Sequence, residues 1–527
     1  MITSIPDNID KIFAQVKKPS RYIGNEFNAC SKSWDGASLK VALVFPDLYE
    51  IGMSHHGLQL LYSIINEQPE LLADRVYAPD RDFEELLLAQ GAPIFAVESR
   101  RPLAEFDMIG ITLPYELCYT NILTILALGR IPLRASGRDD SQPFVIGGGS
   151  GSFNPEPVAD FFDAILLGDG EEAILEITTV LRSARKTDVP RHDILDELAG
   201  IKGVYVPSFF EPCYDSQGKL CGVSALKKGY EKVERRILPE LEIFHNPEKP
   251  LVPLVRIIHD RLGIEVARGC TRGCRFCQAG IIYRPVRERT VDKVLELAQK
   301  GMNAGGFEEL ALLSLSTGDY SCLSPVLSRL MDRFAKDYIS VSMPSMRVGT
   351  LTPEIMDQIR RVRKTGFTLA PEAGTDRLRM VINKGITEDD LLQTCQDANS
   401  LGWKLLKFYF MFGLPTETEE DIIAIADLVR RAARTAGGKA LRINVSVATF
   451  VPKPHTPFQW EPQISIDEAF ARIDLLKKHL SRGNYKLKWH DPRQSFLEGV
   501  MSRGDRLLSG LIEEAWQRGA RLDAWSE

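Results

Sequence analysis

The sequence predicts an α/β protein in two parts, a doubly wound parallel sheet followed by a partial (β/α)6 barrel. Three observations carry this. Apolar, β-branched runs alternate with amphipathic helical stretches in two separate series. Glycines stand where the strands of the first series end, at Gly147-Gly148-Gly149 and at Gly168-Asp169-Gly170. Hydrophobic residues make up 44% and charged residues 26% of the 527 positions, the ordinary mix of a globular chain long enough for several domains.

The first series opens with a strand at Val41–Phe45, the loop Pro46–Gly52, and a helix from Gly57 with Leu58, Leu61 and Ile65 on one face. Further strands are predicted at Ile94–Val97, Met108–Leu113, Phe144–Ile146 and Ala164–Leu167. A ligand crevice in such a sheet lies beyond the carboxyl ends of the strands. From Ile201 to Val255, short strands such as Gly203–Val206 alternate with turns. The second series places strands at Gly263–Val266, Leu310–Leu315, Ile339–Met343, Phe367–Leu369, Leu405–Phe410 and Arg442–Val447. Helices separate them near Val291–Asn303, Pro325–Phe334, Pro353–Val362, Glu388–Ser400 and Glu419–Ala436. The expected domains are an N-terminal extension (1–36), the doubly wound domain (37–200), a connecting segment (201–255), the barrel (256–480) and a charged, helical tail (481–527) that caps the barrel.

With 65 Lys+Arg against 71 Asp+Glu the net charge is −6, so the chain as a whole has no nucleic-acid footprint. No apolar run approaches the roughly 18 residues that cross a bilayer. The N-terminus has no signal-peptide core, so a cytoplasmic location is the expectation. Nine cysteines in so long a chain do not make a disulfide scaffold. Three of them within eight residues point to metal.

Those three are Cys270, Cys274 and Cys277, spaced C-x3-C-x2-C. Three thiolates suit three irons of a cubane. Gly269 and Gly273 let the backbone turn tightly and argue against an ordinary helix face. A structural zinc site would need a fourth ligand, His259 or Cys322, and neither has a finger spacing.

From about Arg256 to Leu480 the chain resembles the radical S-adenosylmethionine (SAM) superfamily. Phe276 fills the aromatic position of its cysteine signature. Ser316-Thr317-Gly318-Asp319 resembles the glycine-rich segment that holds the SAM amine. Ala370–Arg377, with Glu372, resembles the segment that reaches the ribose and methionine moieties. Lys407–Thr418 resembles the adenine border. Phe450–Phe458 is similar to the last strand end in the branch that includes tRNA methylthiotransferases. Arg347 could pair with the SAM carboxylate or form a surface salt bridge. The resemblance implies a [4Fe–4S] cluster on the three cysteines, with one iron open to SAM. An electron from a low-potential donor such as flavodoxin or ferredoxin then breaks the C–S bond, giving methionine and a 5′-deoxyadenosyl radical.

The domain order resembles the cobalamin-dependent class of this superfamily, which makes the first sheet a cobalamin-binding-like, Rossmann-like domain. Asp47-Leu-Tyr49-Glu-Ile-Gly52 falls where the signature D-x-H-x-x-G belongs, Thr112-Leu113 near its Ser-x-Leu, and Gly147-Gly148 at its Gly-Gly. Tyr49 replaces the ligand histidine. His55 and His56 lie outside the motif and read as a satisfied loop or helix-start pair. Three uses of the domain stay open: cobalamin held without a histidine ligand, a vestigial domain, or a partner-binding domain.

Three functions compete. The first is radical C–H activation, with methyl transfer from cobalamin as one form of it. The second is methylthiotransferase-like RNA modification, which needs a second cluster on three more cysteines, whereas only Cys30 and Cys118 precede Cys213. The third is a non-catalytic cobalamin or redox sensor. The substrate, whether small molecule, RNA or protein, is not written in the motifs. Tyr283, Arg287, Tyr409 and His455 are candidates to line its pocket. No membrane partner is expected.

Overall fold

Six of its seven residues are buried, all but the half-buried Lys40, and this makes the first strand, β1 (Leu39–Phe45), a central one. Its neighbours are β2 (Leu71–Tyr77), β3 (Met108–Thr112), β4 (Phe144–Gly148), β5 (Ala164–Leu166) and β6 (Val204–Tyr205), in the order β2-β1-β3-β4-β5-β6. All pairs are parallel except β5–β6. Strand order reverses between β1 and β3, the switch point at which doubly wound sheets bind ligands. The structure is a computed structural model and describes residues 9–187, 189–244, 247–362, 367–435, 442–481, 485–522 and 524–525. The predicted helix end at Ala436, the last two residues of the tail and the first eight of the N-terminal extension lie outside these.

Two readings of this sheet are corrected. Leu71–Tyr77 is a fully buried strand that Asp74 and Arg75 disguise. The Asp74 carboxylate accepts from the Glu98 and Ser99 amides (3.0 and 2.7 Å), and Arg75 pairs with Glu26 and Glu98 (3.0 and 2.6 Å). Ile94–Val97 forms no strand. Phe95 makes a single bridge to Pro102.

The connecting segment contributes the hairpin β7 (Phe210–Tyr214) and β8 (Leu220–Ala225). The barrel follows as β9 (Leu262–Glu265), a small ribbon of β10 (Ala267–Arg268) and β11 (Arg287–Glu288), then β12 (Glu309–Leu313), β13 (Ser340–Ser342), β14 (Phe367–Glu372), β15 (Leu405–Phe412) and β16 (Arg442–Thr449). The predicted helical tail instead begins with β17 (Tyr485–Trp489), parallel to β16. The seven described barrel strands form two parallel sheets, β13-β12-β9 and β14-β15-β16-β17.

Beyond β17 the tail is helical, at Pro492–Arg503 and Leu508–Gln517; its first helix takes a hydrogen bond from Gln463 of the barrel to the Ser495 carbonyl (2.7 Å), and the tail also clasps the N-terminal domain. Met501 and Ile512 are buried in that domain's core. Trp516 Nε1 donates to Thr124 Oγ1 (3.0 Å), Trp525 Nε1 to the Leu117 carbonyl (2.9 Å), and Arg506 pairs with Glu156 (3.0 Å). Lys453, just past β16, is held between Glu116 of the first domain and Glu498 of the tail, both at 2.8 Å. No described helix is long and apolar enough to cross a membrane.

Candidate active site

The cysteine loop begins directly after β10, the ribbon strand that follows β9. At Gly269 φ is +92°, and a side chain there would meet the carbonyl oxygens of Tyr283 and Pro285 at 2.6 and 2.7 Å, so only glycine fits. The loop is pinned from three sides. Arg272 binds Asp319 (Nε to Oδ2, 2.8 Å), Asn383 Nδ2 donates to the Gly273 carbonyl (2.8 Å), and the Arg275 amide donates to the Ile382 carbonyl (3.0 Å). Phe276 packs on the small core of Ala373, Leu378, Ile382, Phe450 and Phe458.

Cys270, Cys274 and Cys277 are free, half-buried thiols. Cys277 Sγ accepts the Gly280 amide at 3.3 Å, and burial pushes its thiol pKa up. Among the described residues, the trio whose ligand atoms all fall within 4.8 Å of one another is His192, Asp193 and Asp196. The three sulfurs are therefore spread wider than donors closing on a single ion, and neither His259 nor Cys322 completes a zinc set with them. A wide trio of soft thiols fits a multi-iron cluster.

The other predicted residues lie around this loop. Thr317–Asp319 forms one short turn after β12. Thr317 is fully buried, and the Asp319 carboxylate is engaged by Arg272 and by Ser316 Oγ (2.7 Å). Gly318 abuts Thr350. Glu372 ends β14 with φ +68°, a strained backbone of the kind that clusters at functional sites. Lys384 Nζ donates to Glu372 at 3.0 Å. Burial nonetheless raises the Glu372 pKa, with Lys384 opposing the rise. Arg347 holds no carboxylate among the described residues. Its guanidinium props the carbonyls of Lys384 and Gly385 and so positions the lysine that reaches Glu372.

The N-terminal motif divides. Tyr49 is core, its hydroxyl donating to Glu26 at 3.0 Å, and a side chain at Gly52 would strike the Tyr77 ring at 2.5 Å. Asp47 accepts from the Tyr115 hydroxyl (3.2 Å) and from the Leu48 amide (2.7 Å). These three positions do not line the ligand cavity, whereas Gly147 and Gly148 do.

That cavity, about 470 Å³, lies at the β1/β3 switch point and opens onto the barrel. Leu43, Gly110, Gly147 and Gly148 floor it, Leu61 and Ile174 wall it, and Glu265, Arg268 and Tyr283 form its barrel side. His55 and His56 line it too, and only one of them is satisfied. His55 Nδ1 accepts from the Leu58 amide at 3.1 Å as the helix N-cap, which leaves the proton on Nε2. His56 Nε2 is buried without a partner. An apolar, glycine-floored cavity with an orphaned ring nitrogen fits a large, mostly apolar cofactor with a few polar groups.

Burial lowers the His55 pKa from 6.5 to about 4. The folded state keeps His55 neutral, while the unfolded chain takes up a proton below pH 6.5. Stability is complete above that pH and falls by about 1.4 kcal/mol per pH unit as pH drops toward 4. His55→Asn keeps a capping acceptor. Chemical denaturation of this variant should lose about 2 kcal/mol less than wild type between pH 7 and pH 5.

Sequence reasoning missed the link that joins cavity and cluster loop. Arg268, two residues before Cys270, binds Asp169 (3.0 Å), Glu171 (2.6 Å) and Glu265 (2.8 Å), and Arg287 binds Asp169 at 2.6 Å. The Gly168–Glu172 loop is legible in the sequence, but not that its acids are clamps. Arg287 is thus part of the domain joint. Tyr283 lines the cavity, and His455 Nε2 donates to the Phe153 carbonyl (2.7 Å).

The comparisons agree with this geometry. Residues 57–207 match the family model for the N-terminal part of radical SAM proteins, and residues 264–429 match the radical SAM superfamily. An uncharacterized protein of Methanocaldococcus jannaschii is 27% identical over 475 residues, covering 90% of both chains. The ribosomal protein uS12 methylthiotransferase RimO of Desulfotalea psychrophila is 26% identical over 47% of this chain and 57% of its own. The fold is shared with the radical SAM methyltransferase TsrM of Kitasatospora setae, solved with cobalamin and a [4Fe–4S] cluster bound (TM-score 0.54, 16% identity, 82% of this chain and 75% of that one). It is shared also with the cobalamin-dependent SAM radical enzyme OxsB (TM-score 0.51, 13% identity, 90% and 66%). A cysteine trio pinned at the mouth of a parallel barrel, behind a doubly wound domain, with both segments matching their models, makes this chain a member of the radical SAM superfamily.

Proposed function

We propose that the protein is a cobalamin-dependent radical SAM methyltransferase. The observation that carries the proposal is the glycine-floored cavity, where the carboxyl ends of the N-terminal strands face the barrel mouth. The fold shared with TsrM supports it. In this reading Cys270, Cys274 and Cys277 hold the [4Fe–4S] cluster, which supplies the electron that cleaves SAM. The turn Thr317–Asp319 and Glu372 with Lys384 border the SAM site. Lys384 offers its ammonium to an anionic group, and the Glu372 carboxylate accepts from hydroxyl or amine donors. Gly147, Gly148 and the cavity walls receive cobalamin. Arg268 fixes the cysteine loop against the cavity, so both cofactors keep one relative position. A flavodoxin or ferredoxin delivers the electron.

The test is anaerobic reconstitution followed by hydroxocobalamin. About one cobalamin per chain, with 5′-deoxyadenosine or S-adenosylhomocysteine formed from SAM under reduction, is the expected result. Reconstituted protein that retains no corrin absorbance after gel filtration refutes the cobalamin part. Gly148→Leu gives a sharper check. The nearest atom to a Cβ there is 3.7 Å away, so the fold accepts a side chain that then fills the cavity. Retained cobalamin should drop at least tenfold with iron content unchanged.

A further inference from the structure

The concave face of the second barrel sheet carries a row of cations that no carboxylate among the described residues answers. Along β15 and β16 alternate residues, among them Leu406, Phe408, Ile443 and Val445, are fully buried against the outer helices. The parallel register puts the intervening residues on the opposite, inner face. There Lys407 stands beside Asn444, and Asn444 beside Lys486. One layer toward the carboxyl ends, Tyr409, Ser446 and Lys488 are neighbours. Arg442 lies one layer the other way. All four cations are exposed.

Strand spacing and rise put the Cα atom of each of these residues about 7–10 Å from the next. Among the described residues none of the four side chains has an acid or hydrogen-bond partner. Asn444 Oδ1, in the middle of the row, is buried and also lacks a partner. The chain as a whole carries net charge −6, so the row is a local exception. Lysines act as point charges for phosphate. Tyr409, 41% exposed in the same face, offers a ring on which a base can stack.

We propose that the inner face of β15–β17 binds the phosphates of a nucleotide, free or within an RNA strand. The proposal names a substrate class for the enzyme suggested above and rests on that reading for its catalytic meaning. The binding itself needs neither reductant nor cobalamin.

The experiment uses the full-length, anaerobically reconstituted protein and a 5′-fluorescein RNA 12-mer. Anisotropy is followed from 50 to 200 mM salt, with ADP as competitor. Wild type should bind. Lys486→Gln/Lys488→Gln should weaken binding at least tenfold and flatten the slope of log K against log salt by about 1.4, two phosphates' worth for a single strand. Lys407→Gln should weaken binding several-fold independently. Lys228→Gln/Lys232→Gln, on exposed positions elsewhere, should match wild type. Iron content and melting temperature report folding of each variant. ADP that displaces the RNA identifies a free nucleotide, and RNA binding indifferent to ADP identifies a strand, both in support. Wild type that binds neither probe, or a double variant that binds RNA with unchanged affinity and slope, overturns the proposal. Failure of cobalamin retention alone would strike the methyltransferase reading and leave this one standing.

Discussion

Cys274→Ala should reduce the iron of the reconstituted protein from about four per chain to nearly none, and SAM cleavage to background. The thiols are half-buried and free, and no other cysteines of the chain share their C-x3-C-x2-C spacing. Removing the middle one leaves two ligands for a cubane that already has an iron without a protein donor. The pinned loop has no slack to recruit a substitute, because Arg272, Gly273 and Arg275 are all tied to neighbouring segments. Cys322→Ala is the control and should keep all four irons. Iron and sulfide analysis with absorbance near 400 nm reads the outcome. About eight irons in wild type would instead require a second cluster and favour methylthio transfer, despite only Cys30 and Cys118 before Cys213.

The second large effect is expected at Arg268. Its side chain is 13% exposed and answers three carboxylates from two domains. Arg268→Met keeps much of the packing volume and removes the charge. Asp169 retains Arg287 (2.6 Å), but Glu171 and Glu265 lose their ion pair inside the joint. Breaking a buried pair in this way costs about 3–5 kcal/mol. The variant should unfold at lower denaturant, or lose the cooperative link between the two domains and unfold in two steps. A midpoint and slope equal to wild type would show that the clamp contributes nothing. Raising pH above neutrality should not restore the loss, since the orphaned carboxylates are then charged. Lowering it toward 5 should restore part, because protonation removes the buried charge. That rescue separates an electrostatic clamp from a simple packing contact.

Much of the fold was legible along the chain because its strands are buried on both faces or end in glycine. β1, β3, β4 and β5 read as apolar runs, and the barrel strands β9 and β12 to β16 appeared within a few residues of their places, while the short ribbon of β10 and β11 went unread. β2 escaped because Asp74 and Arg75 sit inside it, satisfied by residues far away in sequence such as Glu26 and Glu98. β17 escaped because Lys486 and Lys488 face the open lumen, so the segment has only one apolar face. The tail read as a cap for the preceding barrel, and Gln463 does reach it at Ser495, but the sequence did not tell that Trp516, Trp525 and Arg506 also carry it back to the first domain. Within the site, Cys270, Cys274, Cys277, Gly147 and Gly148 were recognisable by type and spacing. Tyr49, Gly52 and Asp47 had the right spacing but the wrong surroundings, for they serve the core.

By itself, then, the sequence determined the cysteine trio, the order of the two sheets and the membership they imply. Spacing, glycine and apolar periodicity are local properties that survive without coordinates. Only the tertiary structure decided that Arg268 locks the cysteine loop to Asp169 and Glu171, that His55 and His56 rather than Tyr49 line the cavity, and that four cations share one face of the barrel. Each of these depends on partners brought together across dozens to hundreds of residues, and burial, ion pairing and strand register are defined only once those partners meet.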